Sequence, residues 1–469
     1  MEFPGYSRPR SGDPGPCVST LPVLDPDRAL DVFCGVDHVG QLAFDPDQDQ
    51  FSFSYSAEWL RHPGRFQLTP HMPFEGGISH VAIRRYIDNL LPEGRALDVV
   101  SSFTHIQKTH LFGLIRVLGR ETAGALSFLP AGQTPQAQDP IRRKVGHEEL
   151  QQRIDERNSV PFAVWDGRVR MSVAGYQDKL LVLREGDELF LADGALSSTH
   201  ILKPEPLNEH LPYMVANEHF CMKLVNRLSR LRLKEDWAAQ VEILRVPAPV
   251  LCVARFDRVR VDGAIRRRHV IDGCQALNLP VSAKYERTLG NAADVRHIRD
   301  GASFQALAAL RPSLANAAVG VRQMAMWAVT TLLLGNSDAH GKNISFFGQG
   351  ETLSVAPFYD LVCVAVYDGK RIDHELAMAF GDEFDLSAVK SFALADFCER
   401  LGFPRKTFAR ELKQLCGWAK EEAQRQAADP VYVGEERRFV QGLADYVAGR
   451  ADILLAQAGE VSKYKDAVF

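Results

Sequence analysis

The chain has 469 residues, 46% of them hydrophobic, which is enough for two or three globular domains with ordinary cores. Its 55 basic and 59 acidic residues give a net charge of −4, which excludes a global nucleic-acid footprint but leaves room for local basic patches. Eight cysteines without a Cys-x-x-Cys pair indicate neither a zinc knuckle nor a small disulfide scaffold. No apolar run approaches the roughly 18 residues of a spanning helix, and no basic-then-apolar signal opens the chain. We therefore expect a cytoplasmic protein with no membrane contact.

The first part of the chain predicts a flexible lead and a small α+β unit. Residues 1–26 are rich in proline, glycine and aspartate, a composition that cannot bury enough apolar surface to order itself. Short apolar or alternating runs at 32–34, 39–44 and 51–55 predict an antiparallel sheet. Amphipathic spacing predicts helices at 81–91 and 111–119. We assign residues 27–135 to this unit.

Residues 136–256 are predicted to form a second, strand-rich unit, which begins with a linker and a polar helix near 148–157. A strand, a turn at Gly175 with Lys179 behind it, and another strand could lay backbone N–H groups over phosphates. On spacing alone this signal is weak, because one glycine is not a phosphate loop.

A lysine on a strand and a glutamate on a helix form the next candidate pair. Lys203 ends an apolar strand stopped by proline, and burying its charge is costly unless another charge compensates it. Glu218 shares a helical stripe with Met222 and Val225, so it is expected to point inward. We hypothesise a Lys203–Glu218 ion pair, with a snorkelling Lys203 and an exposed Glu218 as the alternative.

Residues 257–469 are predicted to be mostly helical. Strands at 241–245 and 250–256 precede this part, and a hairpin with an Asp262-Gly263 turn and a basic outer face opens it. Apolar stripes then predict helices at 392–401, 405–420 and 437–455, which are core helices rather than cofactor-binding segments.

The segment 332–343 carries the strongest chemical signal. An apolar run that reads as the end of a helix stops at Gly335 and Asn336, and polar side chains follow directly. The interval from Asp338 to Asn343 equals that between the base and the metal-binding amide of the protein-kinase catalytic loop. Segment 344–360 predicts a hairpin centred on Gln349, which would return Asp360 opposite Asp338 and create a magnesium site between phosphate oxygens. An Asn/Asp-rich turn and a helix cap are the alternative explanation.

The run Gly-Asn-Ser-Asp-Ala-His-Gly-Lys-Asn at 335–343, followed by Ala-Pro-Phe-Tyr-Asp-Leu at 356–361, resembles the signature of the HipA family of serine/threonine kinase toxins. Segments 89–94, 172–179 and 270–285 resemble further family segments in the family's order. The resemblance implies an α+β, two-lobed protein-kinase-like fold: a β-rich N-terminal lobe with an extra small N-terminal subdomain, and an all-helical C-terminal lobe. It also places 270–285 near the substrate groove without a catalytic role.

The resemblance assigns Asp338 as catalytic base, Asn343 and Asp360 as metal ligands, and Ser172 as a self-phosphorylated serine. It also carries ATP-binding roles to Ala174, Gly175, Tyr176, Gln177, Asp178, Lys179, Lys203, Ala254, Arg255, Phe256, His340, Gly341, Lys342, Asn343, Tyr359 and Asp360. His340 or Lys342 is expected to touch phosphate, although a histidine in this setting more often braces its loop through hydrogen bonds.

The implied function is an ATP- and Mg²⁺-dependent protein kinase that phosphorylates itself and a translation-related protein, with glutamyl-tRNA synthetase as the best-established target class of the family. The implied partner is a helix-turn-helix antitoxin, through which DNA is contacted indirectly. Two alternatives belong to other classes. One is a metal-dependent hydrolase built on Asp338, His340 and Asp360; the other is a catalytically silent, nucleotide-binding co-repressor subunit.

Overall fold

A computed structural model describes residues 25–135, 139–170 and 177–464. The N-terminal subdomain is an antiparallel sheet with strand order β3-β2-β1-β4, and helices cover one face of it. Its elements are β1 (Ala29–Cys34), β2 (Asp37–Asp45), β3 (Gln50–Tyr55), α1 (Ala57–Arg61), α2 (His80–Leu90), α3 (Gly94–Thr104), α4 (Leu111–Leu118) and β4 (Leu126–Pro130). The strands and the helices at 81–91 and 111–119 that the sequence predicts are confirmed, whereas α3 had not been expected after Gly94.

The next part of the chain forms an antiparallel sheet with strand order β11-β12-β10-β8-β9-β5. The elements of this part of the chain are β5 (Ile141–Val145), α5 (His147–Asp155), β6 (Val164–Trp165), β7 (Arg168–Val169), β8 (Leu180–Glu185), β9 (Glu188–Asp193), β10 (His200–Pro204), α6 (Met214–Leu233), β11 (Val241–Arg245) and β12 (Pro249–Ala254). Helix α5 packs its Leu150 and Ile154 on one face of the sheet, in an apolar cluster with Leu180 and Leu202.

Helix α6 begins at a cap supplied by a distant carboxylate. The Glu205 side chain accepts hydrogen bonds from the N–H groups of Met214 (2.8 Å) and Val215 (3.2 Å). These are N–H groups that a helix cannot pair internally, and a negative charge at this end is stabilising. The cap fixes where the helix starts and thus which residues of α6 face the interior.

The C-terminal part begins with a basic hairpin and is otherwise mainly helical. Its elements are β13 (Arg258–Val261), β14 (Ala264–Arg267), β15 (Val270–Asp272), α7 (Gly273–Ala276), α8 (Phe304–Ala308), α9 (Ala317–Leu334), β16 (Ser345–Gln349), β17 (Thr352–Val355), α10 (Ser391–Leu401), α11 (Arg405–Ala427) and α12 (Glu435–Val461). Strands β15, β16 and β17 pair in that order. The helices predicted at 392–401, 405–420 and 437–455 are confirmed, with the last two longer than predicted.

Helix α9 is the central core helix. Asn316 caps its start by accepting from Val319 N–H (3.1 Å), and Gly335 ends it in the left-handed region at φ 65°. A Cβ on residue 335 would lie 2.3 Å from the Tyr446 hydroxyl, so only glycine fits there. In length and composition α9 could span a membrane, contrary to our expectation of no such run, but 72% of it is buried inside the protein. Its apolar character is therefore that of a core helix.

Candidate functional site

A cleft of about 1170 Å³ lies where the six-stranded sheet, the sheet of β15, β16 and β17, and the segment after α9 meet. It brings together most of the residues that the sequence singles out: Gln177, Asp178, Lys179, Lys203, Glu218, Ala254, Arg255, Phe256, Asp338, His340, Lys342, Asn343, Tyr359 and Asp360 all line it. Its volume exceeds the 300–1,000 Å³ usual for a small-molecule pocket. The space is sufficient for a nucleotide and for part of a second substrate.

Asp338 lies on the loop that follows α9, with a side chain that is 57% exposed to the cleft. Its Oδ1 accepts a hydrogen bond from the Tyr285 hydroxyl at 2.7 Å. The surrounding protein reduces the hydration of this carboxylate and raises its pKa, while the Tyr285 hydrogen bond and Lys284 oppose the rise. Asn343 donates from Nδ2 to the Asp338 carbonyl at 2.8 Å, which turns its amide oxygen away from that contact. Base and amide are thus fixed relative to each other.

The hairpin that carries the second carboxylate is present, but its register differs from the prediction. Gln349 pairs with Thr352 and Phe346 with Val355, so the turn lies at Gly350 and Glu351 rather than at Gln349. Gly350 adopts the positive φ of 58° that this turn requires. The shift does not remove Asp360 from the site, because four extended residues after β17 lead the chain back to the cleft.

Asp360 has an unusual backbone conformation for a residue with a side chain, at φ 52°. Its Oδ1 accepts from the Lys203 ammonium, and its side chain remains 39% exposed, toward the cleft. Burial alone would raise the pKa of this carboxyl, but the ammonium groups of Lys203 and Lys179 outweigh that effect and hold it below its ordinary value. Asp360 is therefore a stable anion.

The hypothesised ion pair is confirmed: Lys203 Nζ lies 2.7 Å from Glu218 Oε1, and both side chains are almost fully buried. Burial would lower the pKa of Lys203, but Asp360 and Glu218 reverse the effect and raise it. Glu218 is different, because burial raises its pKa despite the Lys203 ammonium, with Asp360 adding to the rise. Both carboxyls thus hold the Lys203 ammonium, and Glu218 is the more deeply buried of the two.

A second lysine lies near this group. Lys179 is 5% exposed, and burial lowers its pKa to about 8, with Asp360 acting in the opposite direction. It remains largely cationic at neutral pH beside the space that phosphates would take. Gln177 donates from Nε2 to the Pro204 carbonyl at 3.3 Å, and this bond ties the segment to β10. Ser172, Ala174, Gly175 and Tyr176 lie outside the described residues.

The segment 254–256 lies at the rear of the cleft. The N–H groups of Ala254 and Arg255 donate to the carbonyls of Gln240 (2.8 Å) and Thr199 (2.9 Å). The Arg255 guanidinium turns away into a buried network, where it donates from Nε to Asp257 Oδ1 at 3.0 Å. The Arg255 carbonyl accepts from the Arg258 N–H at 3.2 Å, so contact with a ligand would run through the Ala254 carbonyl and the half-buried ring of Phe256.

Three residues after Asp338 have other roles than the ligand contacts expected of them: His340, Gly341 and Lys342. Lys342 does not reach toward phosphate, because its buried Nζ donates to Asp272 Oδ2 (2.7 Å) and to the carbonyl (2.9 Å) and side-chain oxygens of Asn89. A buried ammonium needs such partners, and the sequence around 342 does not reveal them. The Gly341 N–H donates to the Lys284 carbonyl at 2.8 Å and so closes the loop.

His340 braces the loop, as the alternative view of its role held. Its Nδ1 accepts from the Lys342 N–H at 3.3 Å, and its Nε2 lies 4.0 Å from Asp338 Oδ1. Burial, together with the cations of Lys284 and Lys342, lowers the pKa of His340 to about 3, so the imidazole is neutral. Tyr359 has a similar bracing role, since its hydroxyl donates to the Lys342 carbonyl at 2.5 Å.

The cleft also contains residues to which the sequence analysis gave no role. Asn89 and Glu93 from the end of α2 line it, and so do Lys284 and Tyr285 from the segment before α8. Lys284 Nζ pairs with a Glu93 carboxylate oxygen at 2.7 Å. Both stretches resemble segments of the family, but their proximity to Asp338 depends on contacts between residues far apart in the chain, which no local pattern shows.

Within residues 25–135, 139–170 and 177–464, no group of three or more His, Cys, Asp or Glu side chains forms a metal cluster. A site built from one carboxylate and one amide oxygen is the kind that Mg²⁺ uses, since this ion retains waters and takes further ligands from phosphates. Asp360 and Asn343 fit that description. The Nδ1 lone pair of His340 already accepts the Lys342 N–H, and the proton of the neutral ring then lies on Nε2, so neither nitrogen is free for the ligand role that a hydrolase built on His340 would require.

The comparisons with known proteins all point to the same family. A model described as the HipA-like C-terminal domain matches residues 171–423, and one described as the HipA N-terminal domain matches residues 30–129. A protein named serine/threonine-protein kinase toxin HipA, from Shewanella oneidensis, is 38% identical over 390 residues, which cover 82% of this chain and 86% of that protein. A putative kinase named Y4mE, from Sinorhizobium fredii, is 29% identical, with 91% of this chain and 98% of the relative covered.

A solved structure supports the same grouping. It is titled as the complex of the Shewanella oneidensis MR-1 toxin–antitoxin proteins HipA and HipB with operator DNA. The present structure superposes on one chain of it with a TM-score of 0.83 and 35% sequence identity, and the match covers 93% of this chain and 100% of that chain. The similarity therefore includes both the N-terminal subdomain and the cleft-forming lobes.

Proposed function

The chain belongs to the HipA family of serine/threonine-protein kinase toxins, and we propose that it transfers the γ-phosphoryl group of ATP, in the presence of Mg²⁺, to a hydroxyl of a translation-related protein. The observation that carries the proposal is the convergence of Asp338, Asn343 and Asp360 on one cleft with Lys203. A silent co-repressor would have no use for a solvent-open carboxylate held beside a metal-binding amide.

The nucleotide would lie between the two lobes. Its adenine would contact the Ala254 carbonyl and the Phe256 ring, and its phosphates would lie near Lys179 and Lys203. Asn343 and Asp360 would hold the metal ion, which when bound neutralises charge on the phosphate oxygens. Phosphoryl transfer needs mainly positioning and charge neutralisation from the protein, and these residues supply both.

Asp338 is the base in this scheme. The substrate hydroxyl oxygen attacks the γ-phosphorus, its proton passes to the Asp338 carboxylate, and the bond from the γ-phosphorus to the bridging oxygen breaks to release ADP. The exposed position of Asp338 allows a protein hydroxyl to reach it. The raised pKa of this carboxyl makes it a better proton acceptor than an ordinary aspartate.

The toxin role and its partners extend the proposal. We assign a HipB-like helix-turn-helix antitoxin as partner, with DNA contacted through it, since the similar solved structure contains HipA, HipB and operator DNA. Glutamyl-tRNA synthetase is the substrate class to test first, Ser172 is the proposed site of autophosphorylation, and the cytoplasm is the proposed compartment.

The test is transfer of label from γ-labelled ATP in the presence of Mg²⁺ and a bacterial lysate. Asp338→Asn should reduce labelling by about 10²- to 10⁴-fold while nucleotide affinity stays within a few-fold, because a base acts on transfer rather than on binding. The matched control is Asp187→Asn, which alters a fully exposed carboxylate and should leave activity unchanged. Retained activity in Asp338→Asn would refute the assignment of the base, and an inactive wild-type protein would refute the proposed function.

A further inference from the structure

The carboxylate of Asp338 already has a hydrogen-bond donor in the structure. The Tyr285 hydroxyl donates to its Oδ1 at 2.7 Å, the distance of a strong O–H···O⁻ bond. Tyr285 belongs to the 270–285 segment, which resembles a family segment but received no catalytic role. It lines the cleft together with Arg287 and Thr288.

The backbone that carries Tyr285 is fixed on both sides. The Lys284 carbonyl accepts from the Gly341 N–H at 2.8 Å, so residue 284 is bonded to the loop that contains Asp338. The Glu286 N–H donates to the Ala377 carbonyl at 2.9 Å, which anchors the other side to the helical lobe. The tyrosine is thus held at a constant distance from the loop, as a positioning group must be.

The ring of Tyr285 is fixed as well. It meets the His340 ring edge-on, with centroids 5.0 Å apart and an interplanar angle of 86°. The Lys284 ammonium lies 5.6 Å from the ring centroid and is itself paired with Glu93. The hydroxyl is therefore directed at Asp338 by its surroundings and not only by its bond to the carboxylate.

We propose that Tyr285 is a positioning residue for phosphoryl transfer: its hydroxyl holds Oδ1 of Asp338, so that the other carboxylate oxygen faces the cleft and accepts the substrate proton. This inference rests on the proposed kinase function. The carboxylate of a free aspartate rotates about χ2 between equivalent orientations. When one oxygen is anchored by a hydrogen bond, the other is the single oxygen directed at the substrate hydroxyl.

The electrostatic surroundings agree with this role. The charged and titratable groups that face Asp338 are Tyr285 and Lys284 from the segment before α8, His340 from its own loop, Asp360 from beyond the hairpin, and Glu93 from the N-terminal subdomain. Burial and then the neighbouring Asp338 raise the pKa of Tyr285, so the phenol stays protonated and remains a donor.

The opposite role would be obstruction, with the Tyr285 hydroxyl in the place that the substrate hydroxyl needs. The two roles predict changes of opposite sign when the hydroxyl is removed. If the Tyr285 hydroxyl positions Asp338, its removal lowers the turnover. If the hydroxyl obstructs the substrate, its removal raises the turnover.

The experiment is steady-state kinetics of Tyr285→Phe with γ-labelled ATP, Mg²⁺ and the protein substrate found in the lysate assay. We expect kcat to fall about tenfold while KM for ATP stays within about twofold, because the hydroxyl positions a group that acts on transfer and not on nucleotide binding. Tyr464→Phe is the matched control, because it also removes a hydroxyl, which bonds Ser391 Oγ at 3.1 Å on a helix outside the cleft.

A double variant separates positioning from a structural effect. If Tyr285 acts through Asp338, adding Tyr285→Phe to Asp338→Asn should cause no further loss of the residual rate. Unchanged or increased kcat of Tyr285→Phe, or a further loss of rate in the double variant, would overturn the proposal while an active wild-type protein still upholds the kinase function. A melting temperature equal to that of the wild type shows that the variant is folded, and a lowered one accompanied by a raised KM for ATP also counts against the proposal.

Discussion

Replacing Glu218 with glutamine should stabilise the protein at alkaline pH while it impairs catalysis. Burial raises the pKa of Glu218 from an ordinary 4.5 to about 7. Because the folded-state pKa exceeds the unfolded one, ionisation of Glu218 does not lower the free energy of unfolding below pH 4.5. It lowers the free energy of unfolding progressively between pH 4.5 and pH 7. At about 1.4 kcal/mol per pKa unit, the full cost above pH 7 is about 3 kcal/mol. Glutamine keeps an oxygen for Lys203 but has no proton to lose.

The measurement is the thermal unfolding midpoint of wild type and Glu218→Gln at pH 5 and pH 8. The two proteins should unfold at nearly the same temperature at pH 5, and the variant should unfold at the higher temperature at pH 8. Turnover at pH 8 should fall about tenfold or more, because Asp360 is then the one negatively charged partner of Lys203 in this group and draws the ammonium away from the phosphates, while the neutral glutamine oxygen holds it less strongly. Glu235→Gln, at an exposed position on the loop after α6, serves as the control and should change neither property.

The reasoning would be refuted by a variant that is less stable than the wild type at pH 8 but equal to it at pH 5. That outcome would mean that the charged Lys203–Glu218 pair is a net source of stability, as it would be if Glu218 were the main partner of the lysine. Unchanged turnover and nucleotide affinity would contradict the catalytic part separately.

Three further changes test the loop and the metal site. Lys342→Met should destabilise the protein by about 3–5 kcal/mol, because Asp272, with a side chain that is only 11% exposed, loses its counter-charge; thermal unfolding checks this, and a large loss of nucleotide affinity without a loss of stability would contradict it. Removing divalent metal with a chelator should abolish transfer, and Asn343→Ala should raise the Mg²⁺ concentration for half-maximal rate by roughly tenfold. A rate that does not depend on metal, or an unchanged requirement in the variant, would contradict the assigned ligands.

Much of the fold could be predicted because periodicity is a local property. Helices α10 to α12 and strand β3 bury one face each, whereas β1 and β2 have buried residues on both faces, and their apolar spacing or apolar runs show this without knowledge of the partner. The Lys203–Glu218 pair was predictable for the same reason, since a strand that stops at proline and a helical stripe both fix an inward direction. The hairpin register was wrong by a small step, because both Gln349 and Gly350 are compatible with a turn and only the pairing of β16 with β17 distinguishes them.

The positions of Lys342 and Tyr285 could not be predicted, because their partners are far away in the chain. Lys342 bonds Asn89 at a separation of 253 residues and Asp272 at one of 70, and Tyr285 bonds Asp338 at one of 53. A lysine in a phosphate-site motif is expected to bind phosphate until its buried counter-groups are known. The motif led to a phosphate contact for Lys342, whereas the structure directs its ammonium to Asp272 and Asn89.

The contacts of Lys342 also explain why the N-terminal subdomain lines the cleft. The catalytic loop presents a buried ammonium, and the oxygens that compensate it come partly from the end of α2, where Asn89 also donates to the Leu279 carbonyl at 2.9 Å. Glu93 of the same segment pairs with Lys284, the neighbour of Tyr285. A helical lobe without this subdomain would leave the ammonium of Lys342 short of partners and Lys284 unpaired. The geometry around Asp338 is therefore a property of the whole chain, and changes at Asn89 or Glu93 should affect turnover although neither residue touches the reacting atoms.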